Sequence, residues 1–192
     1  MQDFIFYLKL GWEHIISKDA LDHQLFVLVL VAVYSYKDWQ KIILLVTAFT
    51  IGHSVTLALS VIDIIRISSK WVEFLIPLTI LITALDNILM KNKQNSLMKM
   101  NYYLALIFGF IHGMGFANTA RMMIAKEQSL FVPLLGFNIG LELGQIVVVL
   151  FILIAFFILI SLFKIQRKDW IMFVSSGVFA LSLQMALERI PF

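Results

Sequence analysis

The sequence predicts an all-α, polytopic membrane protein with six transmembrane helices, preceded by a short N-terminal helix that is interfacial or re-entrant. Apolar runs of roughly 20 residues recur along the 192-residue chain, the length a helix needs to cross a hydrocarbon core. The composition agrees, with 61% hydrophobic and 14% charged residues and a mean hydropathy of +0.93; soluble domains carry about 45–50% apolar and about 25% charged residues. The tryptophans agree too: Trp12, Trp39, Trp71 and Trp170 each stand at the edge of an apolar segment, where interfacial aromatics belong. The chain reads as a single integral-membrane domain, residues 1–192.

Residues 4–17 form a short apolar helix that, at about 1.5 Å per residue, cannot cross a bilayer. The first span is expected over 20–36, with Asp19 as its N-cap and Asp22 in its first turn. Run length then places spans at 40–62, 71–90, 101–123, 130–163 and 169–188. The 130–163 run exceeds what a bilayer needs, so that helix is tilted, bent or protruding. Pro77 falls inside a span, where it should kink the helix, and Pro133 falls in a first turn, where proline is tolerated.

The formal charge of +3 is carried in short connections, which suits membrane topology and excludes a nucleic-acid binder. Loops 37–41, 91–99 and 164–168 carry Lys37, Lys41, Lys91, Lys93, Lys99, Lys164, Arg167 and Lys168, against Arg66, Lys70, Arg121 and Lys126 in loops 63–70 and 121–129. That asymmetry puts the first set in the cytoplasm and both termini outside. Lys9, Lys18 and Arg189 on the outer side narrow the difference. The first residues lack the basic region and small-residue cleavage site of a signal peptide. Without cysteine there are no disulfides or thiolate ligands, so a metal would be held by nitrogen and oxygen.

The chemistry concentrates in a few places. Residues 13–23 hold His14, His23, Glu13, Asp19 and Asp22 just before a long apolar run, and only two further histidines exist, His53 and His112, both deep in apolar segments. Ionisable groups at such depth are costly and mark function. His14 and His23 are nine residues apart and would face opposite ways on one continuous helix; a break at Ser17-Lys18-Asp19 lets the short helix fold back. Asp22-His23 makes a carboxylate–imidazole pair, a ligand with its orienter. Thr47, Thr50 and His53 follow at three-residue steps beside Ser54 and Thr56, hydroxyls that can equally well satisfy their own helix. Gly109, Gly113 and Ala117 repeat every four residues, as do Gly136, Gly140 and Gly144, the small-residue stripe of close helix contacts. His112 borders the first stripe, and Asn138, Glu142 and Gln145 line another face of the second helix. Glu142 lies roughly 18 Å into its span, where a carboxylate is protonated, paired or bound to a cation. Glu73, Asp86 and Asn87 sit nearer the interfaces, where solvated or capping roles serve as well as functional ones. Imidazole and carboxylate without thiolate suit Ni²⁺, Co²⁺, Zn²⁺, Mn²⁺ or Fe²⁺.

These stretches, taken in order, resemble the HupE/UreJ family of membrane proteins associated with hydrogenase and urease metal supply, and its second, divergent branch above all. The resemblance rests on Gly11-Trp-Glu-His14-Ile, Asp22-His23-Gln-Leu-Phe26, Ala48-Phe-Thr-Ile-Gly-His53-Ser-Val-Thr-Leu57, Phe108-Gly-Phe-Ile-His112-Gly-Met-Gly-Phe-Ala117 and Phe137-Asn-Ile-Gly-Leu-Glu142-Leu-Gly-Gln145. It implies a six-helix protein of a bacterial-type inner membrane that handles nickel, cobalt or another divalent cation. It also implies His14, Asp22, His23, His53, His112 and Glu142 as the motif positions; Asn138, Gln145, Ser54, Thr56 and Glu73, read from their own places in the sequence, are the residues expected around them. Two departures stand out. The better-studied nickel permeases place a histidine five residues before Asp-His, whereas here His14 precedes Asp22 by more. Their second motif carries two histidines and a glutamate, where this chain has His112 alone.

The first functional reading is therefore a divalent-metal permease or metal-binding membrane protein. Ions would enter at His14, Asp22 and His23 and pass to His53, His112 and Glu142, since weak multiple sites suit conduction. An intramembrane metalloenzyme is the alternative, because the same ligands with an open position activate water. A structural accessory subunit is the third, its polar residues joining helices. The partners expected are a metal ion and the lipid bilayer, with self-association left open.

Overall fold

The computed structural model describes residues 2–89, 94–124 and 130–191, and every described element is helical. α1 (Gln2–Ile16) and α2 (Leu21–Val31) are short; α3 (Trp39–Val61), α4 (Ser69–Leu89), α5 (Gln94–Ile124), α6 (Phe131–Phe163) and α7 (Arg167–Glu188) follow. Among the described residues five helices, α3 to α7, are long and apolar enough to cross a membrane. The chain is thus a multi-pass, all-helical protein. Residues 91–93 and 125–129, which hold Lys91, Lys93 and Lys126 of the loop-charge comparison, lie outside the described residues.

The expected 20–36 span is only eleven residues of α-helix, about 16 Å at the α-helical rise. Its helix stops at Val31, and Ser35 and Asp38 then cap each other reciprocally ahead of α3. α6, by contrast, runs for 33 residues and closes on Lys164 in the left-handed conformation (φ 52°), whose N–H returns to the Ile160 carbonyl. Three of the four tryptophans keep to the ends: Trp39 opens α3, Trp71 stands in the first turn of α4 and Trp170 in that of α7, whereas Trp12 lies inside α1 with its backbone against Gly140 and Gly144.

Two glycine-lined seams organise the packing. α3 and α5 run parallel, with Gly52 set against the Leu106 and Gly109 backbone and Gly109 and Gly113 against Phe49, His53 and Thr56. α1 runs parallel to α6: Gly136 meets Phe4 and Tyr7, Gly140 meets Leu8 and Trp12, and Gly144 meets Ile15. At Gly52, Gly109, Gly113, Gly136 and Gly140 a methyl group would collide with the neighbouring helix, and at Gly144 it would press on the Ile15 side chain, so glycine is favoured by proximity rather than by backbone angle.

The contacts correct the expected fold-back of the N-terminal helix. α1 packs on residues 136–144 of α6, while Ile16, Gln24 and Leu28 adjoin Val147, Val148 and Ile152, and the Arg167 guanidinium at the start of α7 donates to the Val33 carbonyl. α2 therefore continues in the direction of α1, and the break between them is an offset rather than a reversal. The connections 32–38 and 164–166 lie on one face of the protein, here the first face. The connection 62–68 and the starts of α1 and α6 lie on the second.

The break has a different chemistry from the expected one. Asp19 is exposed and falls in a 3₁₀ turn, Lys18–Ala20; the residue capping α2 is Ala20, with no side-chain cap bond. The residue that does the tying is Gln24, whose Nε2 donates to the Ile15 carbonyl at 3.1 Å and the Ser17 carbonyl at 3.0 Å. The Ile15 carbonyl is one that the end of α1 leaves without a helical partner, whereas the Ser17 carbonyl also accepts from the Ala20 N–H at 3.1 Å. Ser17 itself is extended (φ −63°, ψ 158°), which ends α1 one residue short of the turn.

Candidate metal centre

Four helices each bring one histidine to a common point. His14 comes from α1, His23 from α2, His53 from α3 and His112 from α5. The His23 and His112 rings are 4.0 Å apart between centroids, His14 and His23 4.7 Å, and His14 and His53 6.1 Å. The offset at Ser17–Ala20 makes this possible. Along an unbroken helix His14 and His23 would point half a turn apart, and the extended Ser17 followed by a 3₁₀ turn re-phases α2 so that both face inward.

The cluster is dry and under-bonded. His23, His53 and His112 are buried, and His14 is partly so. Nε2 of His14, Nε2 of His53 and both ring nitrogens of His23 and His112 are buried with no hydrogen-bond partner among the described residues. Each such nitrogen costs about 1–3 kcal/mol if nothing satisfies it, and six of them within one buried cluster of rings call for an occupant with matching chemistry. One ring is oriented. Asn138 Nδ2 donates to the Leu134 carbonyl at 2.8 Å, which turns Oδ1 toward His53 Nδ1 at 3.4 Å. Nδ1 is then the donor, leaving the lone pair on Nε2, as for a histidine held ready to ligate.

Asp22 borders the cluster. Its Oδ1 lies 3.9 Å from His23 Nδ1, and its Oδ2 pairs with Arg189 at 3.3 Å. Asp22, His23 and His112 each offer one ligand atom within 4.8 Å of the others, a group able to hold a metal ion. Arg189, just beyond α7, was not singled out from sequence, and no local pattern marks it.

Other candidate residues are placed elsewhere. The Glu142 carboxylate turns to α3, where Oε1 accepts the Thr47 hydroxyl at 2.6 Å, and it is not in the group of close ligand atoms. Gln145, fully buried, accepts from Thr50 at 3.2 Å, so Glu142 and Gln145 join α6 to α3. The Ser54 hydroxyl donates to the Thr50 carbonyl and that of Thr56 to the Gly52 carbonyl; both are spent on their own helix. Glu73 is exposed in the second turn of α4, far in character from a buried site, and Asn87 instead ties α4 to Val29 and Ser175.

Aromatic rings wall the histidines. Phe26, Phe49 and Phe108 stand one turn from His23, His53 and His112 along their respective helices, and Phe116 and Phe137 stack at 4.7 Å beside His14. The spacings His23/Phe26, Phe49/His53 and Phe108/His112 were visible in the sequence, though nothing there separates them from ordinary apolar packing.

Membrane-length helices around converging imidazoles and one carboxylate define a polytopic membrane protein with a His/Asp group suited to a metal ion. The model of the family described as HupE / UreJ protein matches residues 1–189, and the chain belongs to that family. No curated protein and no solved structure matches it.

Proposed function

We propose that the protein is a permease or membrane carrier for a divalent transition metal of the nickel/cobalt type, in a bacterial inner membrane. The observation that carries this reading is the set of six partnerless imidazole nitrogens buried on four different helices beside Asp22. A structural role would have spent those nitrogens on neighbouring helices, as Asn87 and Gln145 are spent. In this reading His23, His112 and Asp22 hold the ion and His14 and His53 extend the site. α1 and α2, collinear beside α6, together make a sixth crossing that completes one membrane domain and leaves both termini outside. Nitrogen donors with a carboxylate and no thiolate suit Ni²⁺, Co²⁺ and Zn²⁺ alike, and membership of the HupE/UreJ family supports the first two.

The test is equilibrium titration of the purified full chain with Ni²⁺ and Co²⁺. Saturable binding, with imidazole-type ligand-field bands for Co²⁺, is expected, and a chain that takes up neither ion sinks the proposal. In the same titration Glu142→Gln should bind within about threefold of wild type, because its carboxylate serves Thr47 rather than the ion. A loss of tenfold or more would return Glu142 to the ligand set.

Asp22 and Arg189 give an opposed pair of outcomes. Asp22→Asn removes an anionic donor and should weaken Ni²⁺ binding about 10–100-fold. Arg189→Gln removes a cation that competes for the same carboxylate, at 3.3 Å, and should leave binding equal or tighter. Equal losses in both variants would mean that Asp22 acts only through its ion pair.

A further inference from the structure

The histidine cluster is closed along the membrane normal by phenylalanine on both sides, and the two closures differ. Toward the first face, Phe26 and Phe108 stack almost parallel (9°) at 3.5 Å, and Phe49 lies 5.5 Å from Phe108. All three are fully buried, and Phe108 rests 4.0 Å from the His112 ring. They come from α2, α3 and α5, each one helical turn from that helix's histidine and each on the same side of it, so they form a layer across the bundle. Toward the second face the ring contacts among the described residues are those of the Phe116–Phe137 pair; Phe116 is half-buried, and an apolar void lies behind the two rings beside Leu57 and Pro133.

We infer that the Phe26–Phe49–Phe108 layer is the seal that separates the histidine site from the first face, the barrier an ion must part to leave on that side. This rests on the permease reading. A stack of planar rings excludes water, and a constriction of that kind blocks ions by dewetting until its members separate. The layer's three members lie on three helices, so relative movement of α2 against the α3–α5 pair unstacks Phe26 from Phe108 without disturbing the seam at Gly109. Phe26 is the discriminating member: its ring contacts are with Phe49 and Phe108, and it touches no histidine.

The chain has no cysteine, so His112→Cys places a single thiol at the site. Its modification by a cationic methanethiosulfonate is measured on the full-length protein in detergent, with and without Phe26→Ala. The seal predicts slow modification of His112→Cys alone and a rate raised at least about tenfold by Phe26→Ala. An unchanged rate overturns it. Phe26→Leu keeps apolar volume but not the ring stack, and is used if Phe26→Ala elutes aggregated; it should still accelerate modification at least about threefold. Ni²⁺ binding by the Phe26→Ala protein without the cysteine is measured alongside and should match wild type. Accelerated labelling together with a wild-type chain that binds neither Ni²⁺ nor Co²⁺ would uphold the seal and refute the permease reading, so the two fail separately.

Discussion

Replacing His23 and His112 together with alanine lowers the affinity for Ni²⁺ by at least about a hundredfold, some 2.7 kcal/mol. The two rings are the closest pair of the cluster, at 4.0 Å, and both belong to the group whose ligand atoms lie within 4.8 Å of one another. Removing even an outer residue that orients a ligand costs about 10–100-fold, so removing two of three proposed donors costs more. The substitutions leave the helix contacts intact, because the Gly52–Gly109 seam holds α5 to α3, and α2 is held by Phe26–Phe108 stacking and by Asn87 of α4 donating to the Val29 carbonyl, rather than by imidazole bonds. Equilibrium dialysis with metal analysis reads the affinity, and a melting curve shows whether the variant remains folded. A folded double variant that binds Ni²⁺ within about threefold of wild type would refute the assignment of these rings as ligands.

The second large effect is on assembly. Gly140→Val separates α1 from α6, because a Cβ there would meet the Leu8 carbonyl and the Trp12 amide, both backbone atoms that no rotamer change can move. Overpacking of this kind costs about 1–3 kcal/mol where side chains yield and more where they cannot, so we expect at least about 3 kcal/mol. The observable is loss of a monodisperse elution peak or a large fall in melting temperature. Gly177→Ala is the comparison: nothing lies within 4 Å of its added methyl, and the helix gains from alanine, so the variant should be as stable as wild type or more. Equal behaviour of the two variants would show that the seam does not depend on close approach.

Much of this architecture is legible without coordinates, and the exceptions have physical causes. Apolar run length locates α3 to α7, because each helix there must satisfy a bilayer by itself. The glycine spacings of 109/113 and 136/140/144 announce close contacts but not partners, since α1 and α3 are equally apolar candidates. That four histidines share one site follows from their depth. How His14 and His23 reach each other does not: a reversal and a small offset at Ser17–Ala20 both bring the rings together, and only the register of α1 against Gly136–Gly144 separates them. Asp19 looked like a cap because aspartate before an apolar run usually is one, whereas Gln24 acts backward across seven residues to Ser17, a geometry no local pattern encodes. Glu142 stands out in the sequence by its depth and by its motif position. Depth demands a partner, and the hydroxyl of Thr47 supplies one from 95 residues away.

The α1–α6 seam has a consequence for the birth of the protein. α1 is made before α6, yet the glycines that let it sit close, Gly136, Gly140 and Gly144, come about 130 residues after the α1 residues they meet. Until that stretch of α6 has been made, α1 lacks its glycine-lined seat and His14 is not held in the cluster. A helix made before α2 to α5 is therefore placed after them, and the four-histidine site comes into being late, once those helices are already in the membrane.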